Sequence, residues 1–180
     1  MILGIDPSLT SVGFALGSEV GDDEAVGTIR SKELRGPERL IFLRDAVRSI
    51  LVQNNVYMVV YEGYSMGRVP NAGRAFDIGE LGGVLKSLIF ERKIPILLVP
   101  PTSLKMFATG HGDADKDAVM ACMAEHRGRK FESDDEADAY GLMLMGMHFC
   151  SPRRRPRNRR HFRHRALAGC EVIGELWNCN

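Results

Sequence analysis

Residues 56–61 (VYMVVY) form a continuous run of apolar side chains. A run this short is typical of a β-strand that is covered on both faces, as in the centre of an α/β sheet. Such a strand needs neighbours at its edges and helices above and below it, which restricts the chain to layered α/β folds. At 180 residues the chain has room for one such domain and a short extension.

The remaining segments complete this pattern. Apolar residues at strand spacing predict further strands, and the first three of them look like an antiparallel meander. These strands are expected at residues 1–6, 12–17, 25–29 and 95–99, the last ended by Pro100 and Pro101. Helical spacing predicts helices at about 37–55, 71–92, 114–127 and 134–150. We therefore predict an α/β fold with a mixed five-stranded sheet and helices on both faces, in one domain over residues 1–150.

The positive charge is concentrated near the C-terminus. Residues 151–165 hold eight arginines and no acidic residue, although the whole chain has a net charge of only +1. Hydrophobic periodicity stops after Pro152. We expect residues 151–180 to be a flexible arginine-rich tail, of which Arg153, Arg154, Arg155 and Arg157 contact DNA phosphates. A solvated tail with no partner is the alternative.

Composition and termini favour a cytoplasmic protein with no membrane contact. No apolar run approaches the ~18–20 residues of a membrane span. The opening MILGIDPS has neither the basic region nor the long apolar stretch of a signal peptide. The four cysteines have no CxxC spacing, which favours a reducing compartment.

Four acidic residues stand at predicted strand ends or in the first turn of a helix: Asp6, Glu62, Asp135 and Asp138. Open α/β sheets build their sites at strand ends, and the last two acids, three residues apart, share one helix face. Clustered carboxylates repel each other unless a cation compensates them, and two divalent cations with oxygen ligands are the machinery of phosphodiester hydrolysis. Singly, each acid could be a turn former, an edge charge or a helix cap. Together they predict a metal-dependent nuclease.

Four sequence blocks carry these acids: GIDPSLTSVGFAL, VVYEGYS, TGHGDADKDAV and DDEADAYGL. In order and separation they resemble the motifs of RuvC-type Holliday-junction resolvases, over about residues 1–149. The resemblance implies a ribonuclease H-like fold and a homodimer formed through the helix at 71–92. It also implies cleavage of two opposed strands of a four-way DNA junction, with two Mg²⁺ ions per site, or Mn²⁺ in their place. The products would be 5′-phosphate and 3′-hydroxyl ends, and the four acids match the family's metal ligands.

The resemblance also assigns basic and aromatic residues. Lys105 and Lys116 align with basic residues of the family's site, where a lysine neutralises charge developing on the phosphate. Surface lysines without this role are the alternative. Tyr64 or Met66 stands close to the place of an aromatic residue that wedges into the junction. Ser8 occupies a position at which the family usually has glycine.

Three glycines interrupt the predicted helix at 71–92: Gly79, Gly82 and Gly83. Glycine lowers helix stability, so the cluster suggests that another backbone approaches closely, either that of a second copy or that of the chain's own sheet. Two other functions remain open. One is a ribonuclease H-like nuclease for other branched DNA or structured RNA. The other is a non-catalytic junction-binding protein, although binding alone requires no cluster of acids.

Overall fold

The predicted central strand lies in the middle of a six-stranded mixed sheet, with the order β3-β2-β1-β4-β5-β6. This computed structural model describes residues 1–18, 25–64, 72–128, 130–151 and 161–176, with only the backbone for Ala72 and Arg74. The strands are β1 (Ile2–Pro7), β2 (Ser11–Gly17), β3 (Ala25–Arg30), β4 (Met58–Glu62), β5 (Ile96–Val99) and β6 (Glu171–Ile173). The helices are α1 (Gly36–Gln53), α2 (Ala72–Glu91), α3 (Pro101–Thr109), α4 (Lys116–Arg127), α5 (Asp134–Cys150) and α6 (Phe162–Leu167).

The sheet combines two kinds of strand pairing. The pairs β1–β2 and β2–β3 are antiparallel, which confirms the predicted meander. The pairs β1–β4 and β4–β5 are parallel, so the C-terminal ends of these three strands meet at one edge of the sheet. β6 then runs antiparallel beside β5.

Helices cover both faces of the sheet, as predicted. Leu3 and Ile5 of β1 pack in one apolar cluster with α1 and α2. Ile2 points to the other face, where it packs in a second cluster with α5, α3 and α4. β1 and β4 are therefore buried on both sides, and side chains that alternate along them reach one helix layer or the other.

The element count of the prediction needs two corrections. Pro100 and Pro101 do not simply end β5, because Pro100 is the N-cap of α3 and Pro101 its first residue. Proline is favoured in the first helical turn, where its missing N–H is not needed. The sheet also has six strands rather than five, because Ile173 of β6 pairs with Ile96 of β5.

The described part of the C-terminal segment folds against the domain, although a flexible tail was expected. α6 lies along α3, and the Arg163 guanidinium stands 5.0 Å from the centre of the Phe107 ring. Ala166 of α6 is buried in the α5-side core. The four arginines expected to contact DNA (Arg153, Arg154, Arg155 and Arg157) lie outside the described residues.

Candidate active site

Two neighbouring strands each end in an acidic residue. β1 and β4 run parallel with Ile5 opposite Tyr61, so Asp6 and Glu62 follow side by side. Side chains alternate along a strand, which places Asp6 on the same face as Ile2 and Glu62 on the same face as Met58 and Val60. That face is the one covered by α5. Both carboxylates therefore project into the space beneath the N-terminus of α5.

Hydrogen bonds at its N-terminus determine where α5 begins. Ser133 is the N-cap, and its Oγ accepts a hydrogen bond from the backbone N–H of Glu136. The Glu136 carboxylate accepts a hydrogen bond from the backbone N–H of Glu132 at 2.9 Å and is buried. This reciprocal arrangement resembles a capping box. It fixes the first two turns of α5, which carry Asp135 and Asp138.

Two strand glycines allow α5 to lie directly on the sheet. A Cβ atom added to Gly4 of β1 would stand 2.1 Å from the backbone oxygen of Ala139. A Cβ atom added to Gly13 of β2 would stand 2.2 Å from the backbone oxygen of Asp135. Any side chain at these positions would push α5 away from the strands. The glycines therefore bring the acids of α5 down onto the strand-end acids, a function that the sequence prediction missed.

The structure brings all six predicted catalytic residues to one cavity of about 350 Å³, which we call the acidic cavity. Two acids come from strand ends, two from α5, and the two lysines from α3 and α4. Its polar lining includes Asp6, Glu62, Asp135, Asp138, Lys105 and Lys116. Segments far apart along the chain thus converge at the C-terminal edge of the parallel strands. The sequence predicted strand-end positions for Asp6 and Glu62.

Burial and neighbouring negative charges make the ionised forms of the cavity carboxyls unfavourable. Burial raises the pKa of Asp6 well above its ordinary value, and the charges of Glu62 and Asp135 raise it further. Burial also raises the pKa of Glu62, although its hydrogen bond with Asp6 acts in the opposite direction. The pKa of Asp138 is raised to about 7, chiefly by burial and next by the charge of Asp6.

Lys116 stands at the rim of the acidic cavity with a partner that the sequence did not suggest. Its Nζ forms an ion pair with Oδ2 of Asp134, and both side chains are largely exposed. The hydrogen bond to Asp134 raises the pKa of Lys116, and the same bond lowers the pKa of Asp134. Exposed ion pairs contribute little to stability, so Lys116 can exchange this partner for another anion at small cost.

The donor set of the cavity fits a hard divalent cation, but the side chains do not yet form a cage. Carboxylate oxygens are the ligands that Mg²⁺ prefers in proteins. Among the described residues, no three His, Cys, Asp or Glu side chains are arranged so that they could hold a metal ion as they stand. Burial and mutual repulsion instead raise the pKa values of these carboxyls. A cation at this site would compensate their negative charges and relieve the repulsion.

Tyr64 lies against α2 and is still 44% exposed. Its hydroxyl donates to the backbone oxygen of Gly79 at 3.4 Å, and Lys86 Nζ stands 4.6 Å from the ring centre. A Cβ atom added to Gly82 would lie 1.8 Å from the Tyr64 hydroxyl oxygen. Gly82 therefore makes room for a side chain of its own chain and not for another backbone. Met66, the alternative wedge residue, lies outside the described residues.

The other two glycines of α2 face open space. A Cβ atom added to Gly79 or Gly83 would meet no atom within 4 Å. Phe76 lies seven residues before Gly83 and Phe90 seven residues after it, so both rings are on the same side of the helix as Gly83. Their side chains are 73% and 57% exposed. We call Phe76, Gly79, Gly83 and Phe90 the outer face of α2. It is a smooth, partly apolar surface on the described part of the molecule.

No helix in the described ranges is long and apolar enough to cross a membrane. A mixed sheet with an antiparallel meander, helices on both faces and acids at the ends of β1 and β4 defines a ribonuclease H-like protein. The sequence model of the family described as "Crossover junction endodeoxyribonuclease RuvC" matches residues 2–144, and the chain belongs to this family.

Relatives and solved structures agree with this assignment. Over 157 residues the chain is 31% identical to the crossover junction endodeoxyribonuclease RuvC of Synechococcus sp. (strain CC9311), covering 81% of this chain and 96% of that one. Over 153 residues it is 28% identical to the protein of the same description from Prochlorococcus marinus (strain NATL1A), covering 82% and 97%. The structure of Thermus thermophilus RuvC in complex with Holliday junction substrate matches with a TM-score of 0.68 and 23% identity, over 79% of this chain and 90% of that one. The structural likeness shows the shared fold.

Proposed function

We propose that this protein is a structure-selective DNA endonuclease that resolves Holliday junctions by cutting two opposed strands, leaving 5′-phosphate and 3′-hydroxyl ends. The observation that carries the proposal is the convergence of Asp6, Glu62, Asp135 and Asp138 on one cavity, in a chain of the RuvC family. The matching relatives are described as crossover junction endodeoxyribonucleases, and a matching structure contains Holliday junction substrate. We expect it to act in the cytoplasm.

The four acids would hold two Mg²⁺ ions, with Mn²⁺ as an alternative. Bound there, such ions supply Lewis-acid chemistry, namely activation of water and stabilisation of the leaving 3′-oxygen. The chain's own contribution is to keep buried carboxylates close together in spite of their repulsion. The pKa values of Asp6 and Glu62 are raised, and cations bind the ionised carboxylates, so the site would bind cations more tightly as the pH rises.

The two cavity lysines would act on the scissile phosphate. Lys116 is already at the rim, where its exposed ion pair with Asp134 occupies it in the absence of DNA. A phosphate oxygen would replace the Asp134 carboxylate as its partner, which keeps a positive charge beside the phosphorus as negative charge develops. Lys105 extends from α3 into the same cavity and would neutralise a second phosphate oxygen.

Other residues would contact the DNA outside the cavity. Tyr64 is the described candidate for the junction centre, and reaching it would require Tyr64 to leave its place on α2. Met66 and the arginines Arg153, Arg154, Arg155 and Arg157 are further candidates. Each phosphate contact made by these arginines would steepen the decrease of log K with log salt by about 0.9.

Cutting two opposed strands in register requires two active sites in a fixed relation, which a symmetric dimer provides. We propose that the outer face of α2 forms the dimer contact. Open space at Gly79 and Gly83 allows a second helix to approach closely, and Phe76 and Phe90 offer apolar area to bury.

Cleavage of defined DNA substrates tests the function. The protein is incubated with Mg²⁺ and a four-way junction, a Y-fork, a linear duplex or a structured RNA. We expect paired, symmetric nicks on the junction alone. In Asp6→Asn, junction binding should persist while cutting decreases at least ~10³-fold, because a ligand of the reacting site is lost. Asp45→Asn on α1, an exposed acid outside the acidic cavity, is the control and should cut normally.

Three results would contradict the proposal. Cutting of forks or RNA in preference to the junction would indicate a ribonuclease H-like nuclease with another substrate. Junction binding without cleavage in Mg²⁺ or Mn²⁺ would indicate a non-catalytic binding protein. Normal cutting by Asp6→Asn would show that the acidic cavity is not the active site.

A further inference from the structure

Two serine hydroxyls connect the turn after β1 to Asp135 in the acidic cavity. Ser11 Oγ lies 2.7 Å from Oδ2 of Asp135, across 124 positions of sequence. Ser8 Oγ lies 2.5 Å from Ser11 Oγ; Ser11 is buried and Ser8 is partly buried. The backbone N–H of Ser8 donates to the carbonyl of Ser11 at 2.9 Å, which closes the turn that carries both hydroxyls.

The chemistry of the groups fixes the direction of this chain of hydrogen bonds. Ser11 Oγ donates its hydroxyl proton to Oδ2 of Asp135. The Ser11 oxygen then has lone pairs left, and Ser8 is the hydroxyl that can donate to them. Ser8 also has the Ser11 carbonyl as an acceptor at 3.3 Å, so its proton stays on the Ser11 side in either arrangement. When Ser8 donates to Ser11 Oγ, the series of hydrogen bonds therefore runs from Ser8 through Ser11 to Asp135.

The backbone of Asp135 is held as tightly as its side chain. Gly13 of β2 leaves room for the Asp135 carbonyl, which would lie 2.2 Å from a Cβ atom at that position. Since the main chain rests on β2 and Oδ2 is bonded to Ser11, rotation of the carboxylate is restricted at both ends of the side chain. Oδ1 does not take part in the serine contact and remains for the cavity.

We propose that Ser11, supported by Ser8, is a positioning residue that orients the Asp135 carboxylate for a divalent cation. The inference rests on the proposed metal-dependent function. It adds a hydroxyl contact to Asp135 from the turn after β1, where this sequence has Ser8 and the family usually has glycine. Groups that hydrogen-bond to metal ligands typically change metal affinity by about 10–100-fold when removed.

Metal binding measured without DNA tests the proposal. Titration calorimetry with Mn²⁺ and the full chain gives a dissociation constant, which Ser11→Ala should increase about 10–100-fold. Ser11→Thr keeps the hydroxyl and should restore most of the affinity. Ser8→Gly should give a smaller increase, since it removes only the supporting hydroxyl. In junction cleavage, Ser11→Ala should need more Mg²⁺ for half-maximal rate and recover most of the rate at saturation.

A second buried serine gives a matched control. Ser31 is buried and donates its hydroxyl to the backbone oxygen of Thr10 at 2.8 Å, outside the lining of the acidic cavity. Ser31→Ala should lower stability as other buried serine changes do and leave Mn²⁺ affinity unchanged.

The proposal is overturned if Ser11→Ala binds Mn²⁺ as the unaltered protein does, if Ser11→Thr is as weak as Ser11→Ala, or if Ser31→Ala weakens binding equally. It is also overturned if the unaltered protein binds no Mn²⁺. If Mn²⁺ binding follows the expected order of variants but no junction is cut, the positioning role stands and the proposed function fails. If junctions are cut and the order is not seen, only the positioning role fails.

Discussion

Burial and repulsion in the acidic cavity raise the pKa values of individual carboxyl groups. Asp138 shows this most clearly, because burial and the charge of Asp6 raise its pKa from an ordinary value of 3.8 to about 7. In the unfolded chain this group ionises near its ordinary value. Between these two pKa values the folded state binds the proton and the unfolded state does not, so the free energy of unfolding falls as the pH rises. Above the folded pKa the loss is complete.

The first prediction follows from this difference and concerns Asp138→Asn. The amide removes the buried charge, so in the absence of metal the variant should be more stable than the unaltered protein at pH 8 by about 1–3 kcal/mol. At pH 4, where the Asp138 carboxyl of the folded protein is protonated, the two should differ little. Urea unfolding at both pH values, with chelator present, measures the difference. Asp45→Asn on α1 should show no such dependence.

Added Mg²⁺ completes the test of Asp138. It should stabilise the unaltered protein at pH 8 by relieving the repulsion, and it should stabilise Asp138→Asn much less. An equal loss of stability in the variant at both pH values would contradict the assignment and show a packing role for this side chain.

The site residues differ in how well they could be predicted from the sequence. Asp6, Glu62, Asp135 and Asp138 could be recognised because each occupies a strand end or helix start that local pattern locates. The partners of these residues could not be recognised. Ser11 meets Asp135 and Lys116 meets Asp134 only because the turn after β1, α4 and α5 pack together. No local pattern records such tertiary contacts.

Among the elements, α5 carries half of the site and depends on how closely it lies on the sheet. Gly4 and Gly13 set that distance, as the backbone oxygens of Ala139 and Asp135 occupy the space of their missing side chains. The height of α5 above the sheet therefore controls the separation of the two pairs of acids.

The second prediction concerns this height. Gly4→Ala places a methyl group 2.1 Å from the Ala139 oxygen, so α5 must move outward. We expect a loss of about 1–3 kcal/mol in the free energy of unfolding, as for overpacked cores. Mn²⁺ affinity and junction cleavage should fall with it. Gly27→Ala in β3 is the control, because the three atoms nearest to its new methyl group all belong to the side chain of Phe14, at 3.0 Å or more.

Unfolding in urea and Mn²⁺ titration of both glycine variants give the comparison. A Gly4→Ala variant that keeps the stability and Mn²⁺ affinity of the unaltered protein would show that α5 does not depend on this contact.

Elements with a clear hydrophobic pattern were predictable, and elements without one were not. α5 begins and ends where the sequence predicted, and α2 is one residue shorter at each end. β5 begins one residue later than predicted and ends at Val99 as predicted. α3 was missed because a proline pair can end a strand and also begin a helix. β6 has three residues and no hydrophobic pattern of its own, and it exists because the edge of β5 is there to pair with. α6 similarly depends on its contact with α3.

At the scale of the whole molecule, the outer face of α2 is an exposed, partly apolar surface of the described residues. It combines two exposed aromatic rings with two glycines that have open space above them. The sequence prediction of a homodimer rests on this helix. Gly82, however, belongs to the contact with Tyr64, so two of the three glycines remain to support it.

The third prediction tests this surface. Gly83→Arg puts a long charged side chain on the outer face of α2 and should shift the protein from dimer to monomer. Light scattering across a concentration series measures the shift. The monomer should bind Mn²⁺ normally at each site, yet lose most paired incision and leave singly nicked junctions. Val52→Arg on α1, at another exposed apolar position, should remain dimeric. A monomeric unaltered protein, or a dimeric Gly83→Arg, would contradict the proposed contact.

Because α6 and β6 are built into the domain, the segment after α5 is part of the folded structure and not only a charged extension. Ala166 of α6 is buried in the core that α3 shares, and Ile173 of β6 pairs with Ile96 of β5. Deletion of the residues after Ser151 would therefore uncover apolar surface on α3 and leave the backbone edge of β5 unpaired. The effect of such a deletion on DNA binding would combine a loss of folded structure with a loss of charge, whereas arginine-to-glutamine changes would isolate the charge.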